Sequence, residues 1–396
     1  MTNVAILGFG VVGGGVADLL TSNNAECTRL GKDSINIKYI LDLRDFPESP
    51  FGDRVVHDFS VIENDPEVTV VIEAMGGSHP AYEYTVAALK AGKSVITSNK
   101  EVVANFGEQF LAIAEEKGVS YRFEAAVCGG IPVISPLIHS VGQNKIREIR
   151  VILNGTTNYI LTQMFTYGKS FESALSEAQE KGYAERNPDA DILGTDACRK
   201  IAILTAIVSG KLIDTDKIHT EGITKVRSAD VKAAEALGCT IKLVGRGIMT
   251  ETEPYVLVAP FLVPCEMPLS SVSGVYNAVE VVAEPLDNIM FYGRGAGAGA
   301  TASAMVGDLM ETMRIGNLGM PSFERSSEVS PMESLLSRHY LAFDKESADT
   351  VKEIFGKTAS YIEGDEFAVL TQPLSESELC EKLNGNQPLS HIRLLS

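Results

Sequence analysis

The sequence has no cluster of Lys and Arg, no apolar stretch of membrane-spanning length, no cysteines at CxxC spacing, and no internal repeat or low-complexity tract. Each absence removes a class of function. Lys and Arg total 34 against 52 Asp and Glu, a net charge of -18, so nucleic acid and anionic membrane surfaces are poor partners. The apolar run Ile201 to Val208 falls well short of the about 20 residues a bilayer requires. The start, MTNVAILGFG, has neither a basic n-region nor a cleavage site, and no signal peptide is expected. Cys27, Cys128, Cys198, Cys239, Cys265 and Cys380 are scattered, which points to reduced thiols in the cytoplasm.

What is present is ordinary globular composition, 45% hydrophobic and 22% charged, over 396 residues. That length exceeds what one hydrophobic core usually supports, so two or three domains are expected. Over residues 1–130, the runs VAILG, INIKYILD, VTVVIEAM, SVITSN and SYRFEAAV alternate with helical stretches such as AYEYTVAALKAGK. Continuous apolar strands spaced by helices imply an α/β domain, a Rossmann-type doubly wound parallel sheet. Residues 131–295 mix IREIRVILN, TIKLVGRGIM and PYVLVAPFLV with helices, an α+β pattern whose sheet has a face open for a partner subunit. The glycine-rich FYGRGAGAGATASAMVGDLMETM leads into a helix, and residues 296–320 are expected to return to the nucleotide domain. Residues 321–336, rich in Ser, Pro and Glu, are expected to be a linker. The order βαββαβ over 337–396 predicts a compact ferredoxin-like module.

Gly8, Gly10 and Gly13 spell GFGVVG, with Phe9 and Val12 between them, at the junction of the first strand and first helix. There the glycines permit a tight turn, backbone approach to a pyrophosphate and close packing, while the helix N-terminus favours the anion. The second strand ends in LDLRD. Asp42 suits the ribose hydroxyl of NAD and Arg44 the 2'-phosphate of NADP; the choice stays open, leaning to NADP. Gly76 and Gly77 follow the run VTVVIEAM and Lys100 follows SVITSN, at carboxyl ends that line a cofactor crevice.

The stretch GYAERNPDADILGTDACRK sets Glu185, Asp189, Asp191 and Asp196 close together, then Arg199 and Lys200 directly before an apolar run. Asp196 and Lys200 are four apart on a helix and share a face. Glu185, Asp191 and Asp196 need not repel one another around a small ligand bearing an ammonium group. The alternative is a helix N-terminus that favours acids for its dipole. In NGTTNYIL, Gly155, Thr156 and Thr157 start a helix, where amides and hydroxyls could hold a carboxylate or simply cap the helix. Cys128 in EAAVCGGIP has no evident His to activate it as a nucleophile.

GFGVVG, TSNK, EAAVCGGIP, NGTTNYIL and GYAERNPDADILGTDACRK, in this order over roughly 320 residues, resemble the homoserine dehydrogenase family. The resemblance implies interconversion of L-aspartate 4-semialdehyde and L-homoserine with NADP or NAD, on the aspartate route to threonine and methionine. It assigns Glu185, Asp191, Asp196 and Lys200 to the substrate, with Lys100 and Lys200 at its reacting end and Gly155, Thr156 and Tyr183 lining the pocket. It further implies a monovalent cation, usually sodium, at Glu124, Val127, Gly129 and Ile131. A homodimer or higher homo-oligomer and an ACT-like C-terminal module are implied as well. In that module DKESADTV lacks the Pro-Gly usual before the first helix, which argues against feedback inhibition by threonine. The rival readings are a dehydrogenase of another small amino or hydroxy acid, and a non-enzymatic amino-acid sensor.

Overall fold

The computed structural model of the chain describes residues 1–317 and 319–396. It divides into two compact units, Met1–Lys145 with Ala202–Asp214 and Gly293–Ser326, and Ile146–Ile201 with Thr215–Tyr292 and Ser327–Ser396.

The first unit is built on β1 (Thr2–Leu7), β2 (Ile35–Leu41), β3 (Val55–Val56), β4 (Val68–Glu73), β5 (Ser94–Thr97) and β6 (Tyr121–Arg122). Their order is β3-β2-β1-β4-β5-β6, with every pairing parallel. Val4 to Leu7 of β1 are fully buried, as a strand covered on both faces must be. The strand order reverses beside β1, where its carboxyl end and that of β4 lie together: Ala74 N donates to Leu7 O at 2.9 Å. This is the switch point at which such sheets bind ligands. The helix Ala298–Ile315 belongs here, because Ala302, Met305, Val306, Leu309 and Met310 pack into one core with Val4, Ile6 and Val16.

The remaining strands are β7 (Lys145–Ile152), β8 (Lys211–Ile213), β9 (His219–Thr220), β10 (Cys239–Ile248), β11 (Tyr255–Pro264), β12 (Tyr276–Glu284), β13 (Asp287–Arg294), β14 (Glu324–Ser326), β15 (Arg338–Phe343), β16 (Ser360–Glu363), β17 (Phe367–Leu370) and β18 (Ser390–Leu394). Most join a mixed sheet of order β13-β12-β7-β10-β11-β18-β15-β17-β16. β10 and β11 pair antiparallel over their whole lengths. The other edge of β11 carries β9 at one end and β18 at the other.

The C-terminal βαββαβ segment is therefore not a separate bead. Its strands lie in the order β18-β15-β17-β16, and β18 continues the larger sheet. Val351, Phe355 and Leu379 from its helices pack on Leu341, Phe343 and Val369. The expected linker of 321–336 contains a strand, since β14 pairs in parallel with β8. Arg325 anchors that strand through Glu108 at 2.7 Å and Asp214 at 2.9 Å.

Candidate active site

In the first unit the glycine turn has the geometry its spacing implies. Gly8 has φ of 91°, and a Cβ there would lie 3.0 Å from Ala74 O. A Cβ on Gly13 would sit 1.9 Å from Gly8 O, so the first helix turn closes on the loop only without a side chain. At Gly10 a Cβ would meet nothing within 4 Å, which leaves the backbone open to a ligand. No side chain caps the helix Val11–Ser22 that begins next. Uncapped amides at a helix start beside an open glycine fit a dinucleotide pyrophosphate. Val12 turns its side chain into the core, and Phe9 packs edge-on to Phe46 and Phe51.

Asp42 accepts from Phe9 N at 2.8 Å and from Arg44 Nε and Nη2 at 3.0 and 3.1 Å. The Arg44 guanidinium holds its carboxyl down at about 2. The two residues weighed as alternatives are thus an ion pair, with Arg44 the exposed partner.

The loops after β4 and β5 are knitted together by a carboxylate that sequence reading passed over. Glu73, fully buried, accepts from Met75 N at 2.8 Å and Thr97 Oγ1 at 2.5 Å. Asn99 caps the helix Lys100–Lys117 and donates to Gly77 O at 2.7 Å. Lys100 is therefore the first residue of a helix whose start is tied to the Gly76–Gly77 turn. Burial raises the pKa of Glu73, with its hydrogen bonds opposing. Nothing in its sequence context separates Glu73 from an ordinary strand end.

Glu124 holds a loop together through its side chain. Its carboxylate accepts from Val133 N and Ile134 N on one oxygen, at 2.7 and 2.8 Å, and from Ser135 N on the other, at 2.7 Å. It gathers the amides of the segment that follows the glycine turn. Gly129, with φ of 53°, sits where a Cβ would strike Gly295 O at 2.5 Å.

In the second unit, the acidic loop and the helix Thr195–Ser209 meet at the end of β7. Asp196 and Lys200 are 5% and 8% exposed. Lys200 Nζ lies 2.8 Å from Asp196 Oδ2 and donates to Leu153 O, also at 2.8 Å. An ammonium has three donors, and these contacts use two of them. The hub is Asn154, which sequence reading treated only as the head of NGTTNYIL. Its Oδ1 accepts from Thr157 N at 2.9 Å and caps the helix Gly155–Tyr167. Its Nδ2 donates to Asp191 Oδ1 at 2.7 Å and to Asp196 Oδ2 at 2.9 Å. One amide thus holds two carboxylates side by side.

The other predicted positions fall unevenly around this hub. A Cβ on Gly155 would lie 3.0 Å from Val275 O. Thr156 Oγ1 donates to Tyr183 O at 2.6 Å, spending its hydroxyl on the loop. Tyr183 packs on Tyr159 with ring centroids 5.0 Å apart and is itself exposed. Glu185 is exposed, and its backbone oxygen accepts from Gln179 Nε2 at 3.0 Å. Asp191, Asp196 and Lys200 come together; Glu185 stands outside their hydrogen-bond network among the described residues.

Comparison with known proteins agrees with these two halves. Family models described as homoserine dehydrogenase, NAD binding domain, and homoserine dehydrogenase match residues 8–124 and 132–310. A homoserine dehydrogenase of Synechocystis sp. is 38% identical over 355 residues, 86% of this chain and 82% of that protein. The crystal structure of one from Thiobacillus denitrificans superposes with a TM-score of 0.91 at 32% identity, covering 100% of this chain and 98% of that one. A hyperthermophilic archaeal homoserine dehydrogenase mutant in complex with NADPH aligns at TM-score 0.68 and 27% identity, over 80% of this chain and 99% of that one. With matching family models along both halves and a relative of this identity over most of its length, the chain belongs to the homoserine dehydrogenase family.

Proposed function

We propose that the chain interconverts L-aspartate 4-semialdehyde and L-homoserine, with the buried Asp196–Lys200 pair beneath Asn154 as the observation that carries the assignment of roles. A nicotinamide dinucleotide, when bound at the GFGVVG turn, supplies the redox chemistry at the substrate's fourth carbon. The protein's task is then positioning and the proton. Lys200, its remaining donor aimed at the substrate oxygen, stabilises the charge that develops there and hands over the proton. Asp196 and Leu153 O fix the ammonium, and Asp191 faces the amino group of the substrate. Lys100 is assigned the second ammonium at the reacting end, by resemblance. Gly155, Thr156 and Tyr183 form the pocket wall, and Glu185 adds a further acid for the substrate amino group. Phe9, Gly10, Val12 and Gly76 line the cofactor path.

The test is oxidation of NADPH or NADH with aspartate 4-semialdehyde, alongside the reverse reaction with L-homoserine. Lys200→Ala should lower kcat by at least about a thousandfold while cofactor affinity changes little; near-normal kcat would remove Lys200 from its role. Because removing one partner of a buried pair is destabilising, Lys200→Arg, which keeps the charge but misplaces the donor, serves as the second variant.

NADP is the preferred cofactor in this reading. Both oxygens of Asp42 already accept protein hydrogen bonds, which disfavours a ribose 2'-hydroxyl, and exposed Arg44 is placed to meet a 2'-phosphate. Arg44→Ala should lower kcat/KM for NADPH about tenfold or more and leave NADH nearly unchanged.

Glu124, Val127, Gly129 and Ile131 are proposed to hold the family's monovalent cation. Three amides occupy the Glu124 carboxylate, two on Oε1 and one on Oε2, which leaves one acceptor position on Oε2. The backbone carbonyls of Val127, Gly129 and Ile131 remain suitable oxygen donors, and no step of the reaction rests on them. A homodimer through the sheet of the second unit is proposed, with sedimentation as its test. The C-terminal module is read as ACT-like without threonine inhibition, which a threonine titration checks. A cytoplasmic location is supported by six cysteines of which none forms a disulfide. Among the described residues no helix is long and apolar enough to cross a membrane.

A further inference from the structure

The C-terminal βαββαβ segment carries a polar cluster that the reaction does not use. His339 on β15 and His391 on β18 approach Nδ1 to Nε2 at 2.9 Å. Glu376, the first residue of the helix Glu376–Leu383, brings Oε1 to 3.8 Å from His339 Nδ1. One ligand atom from each of the three lies within 4.8 Å of the others. His339 is fully buried, and its Nε2 lies 3.0 Å from Leu374 O. A carbonyl only accepts, so Nε2 carries the proton and Nδ1 turns a lone pair toward His391 and Glu376. A ring oriented by a backbone carbonyl on one nitrogen, with its other nitrogen aimed at a histidine and a carboxylate, is how metal-binding imidazoles are held.

Charged groups of both signs surround the two imidazoles. The charged groups facing them are Glu376, Glu221 and Arg393, with His219 beside Glu221. Arg393 donates from Nε to Glu376 Oε1 at 2.6 Å and from Nη1 to Glu221 Oε1 at 2.8 Å, so Glu376 would ligate through its second lone pair or its other oxygen. His391 also lines a cavity of about 570 Å³ with Glu221, Lys225 and Ser390, which provides a route of entry and room for a water ligand.

Distances can be judged against what a metal needs. A tetrahedral ion with bonds of about 2.0 to 2.2 Å sets its ligand atoms about 3.3 to 3.6 Å apart. The observed 2.9 and 3.8 Å straddle that range and all three atoms lie within 4.8 Å, so ligation asks for shifts of up to about an ångström. The ion would displace the proton that His391 Nε2 now donates to His339 Nδ1.

We propose that His339, Glu376 and His391 form a site for a divalent ion of the Zn²⁺ or Co²⁺ class, completed by water from the adjoining cavity. Nitrogen and carboxylate donors in this number suit those ions over Mg²⁺ or Ca²⁺, which take oxygen alone. The site is structural. It clamps β15, β18 and the helix Glu376–Leu383 together, and Arg393 carries the clamp to Glu221 at 2.8 Å. The segment after Glu221 is hydrogen-bonded to the helix Asp189–Ile192, Ile223 N to Ile192 O at 2.8 Å, and that helix bears Asp191.

The experiment uses the full chain, stripped with a chelator, dialysed and titrated with Zn²⁺ alone by calorimetry and with Co²⁺ alone by visible absorption. One equivalent of each should bind, with Co²⁺ showing the intense bands of a four-coordinate site. His391→Gln and Glu376→Gln should weaken binding about a hundredfold or more, with circular dichroism confirming that both variants fold. Substoichiometric binding, a six-coordinate Co²⁺ spectrum, or equal binding in both variants, as cysteine-bound metal would give, overturns the proposal.

Discussion

Asn154 shows how one side chain can serve structure and chemistry at once. Its oxygen caps the helix Gly155–Tyr167, and its amide holds Asp191 and Asp196. Asn154→Ala removes both roles, costing about 1 kcal/mol of stability for the cap and further activity through the released carboxylates. Asn154→Asp separates them, because an aspartate caps as well as an asparagine but repels two neighbouring acids. We expect the melting temperature to fall, because a third carboxylate is buried beside two others, and KM for homoserine to rise at least about tenfold, checked by thermal melts beside steady-state kinetics. Gly13 gives a plainer case: a Cβ there would stand only 1.9 Å from Gly8 O, so Gly13→Ala should abolish measurable NADPH binding by calorimetry. The glycines were legible in the sequence because their spacing maps onto a local turn. The double role of Asn154 was not, since an asparagine heading a helix reads as a cap whether or not its amide is also engaged. The amides that Glu124 accepts from were not legible for a related reason, as they lie 9 to 11 residues further along.

Among the elements, strands of four or more apolar residues could be read from the sequence, and very short ones could not. β3 and β9 are two residues each, and β8 and β14 three; β6, also two residues, was read only as part of the longer run SYRFEAAV. The helix Ala298–Ile315 was readable as a helix after a glycine-rich loop. Its place in the first core rests on contacts that no local pattern encodes. β10 breaks the apolar pattern differently, burying Lys242 in the middle of the strand. Lys242 donates to Val272 O at 2.6 Å, and burial lowers its pKa from 10.5 to about 8. Below about pH 8 both folded and unfolded chains hold the proton, and the folded state bears the cost of a buried ammonium, roughly 3 kcal/mol. Between about pH 8 and 10.5 only the unfolded chain is protonated, so this group's contribution to stability rises with pH. Lys242→Met should therefore stabilise the fold at pH 7 by about 1 kcal/mol, after allowing about 1 kcal/mol for each of the two lost hydrogen bonds, to Val272 O and Asn158 Oδ1. The gain should fade by pH 10.5, and equal stability of the two proteins at pH 7 in urea melts would count against it.

At the scale of the whole molecule, the charge of -18 acts on stability independently of any site. Like charges repel most in the compact state, so screening them should favour folding at neutral pH. Raising the ionic strength from about 0.02 to about 0.3 M should lift the melting temperature by a few degrees with any inert salt. Choline chloride tests that general effect, because its cation is too large for a ring of carbonyl oxygens. Sodium chloride adds whatever the carbonyls of Val127, Gly129 and Ile131 contribute. Identical melting curves in the two salts would leave screening alone responsible and remove sodium from the folded enzyme. A further rise in sodium, saturating with concentration and absent in Gly129→Ala, would locate the ion in this turn. The Gly129 control is demanding, since its positive φ and the 2.5 Å approach to Gly295 O make any side chain disruptive. It must therefore be compared in choline chloride first, so that the loss of the turn is subtracted from the loss of the ion.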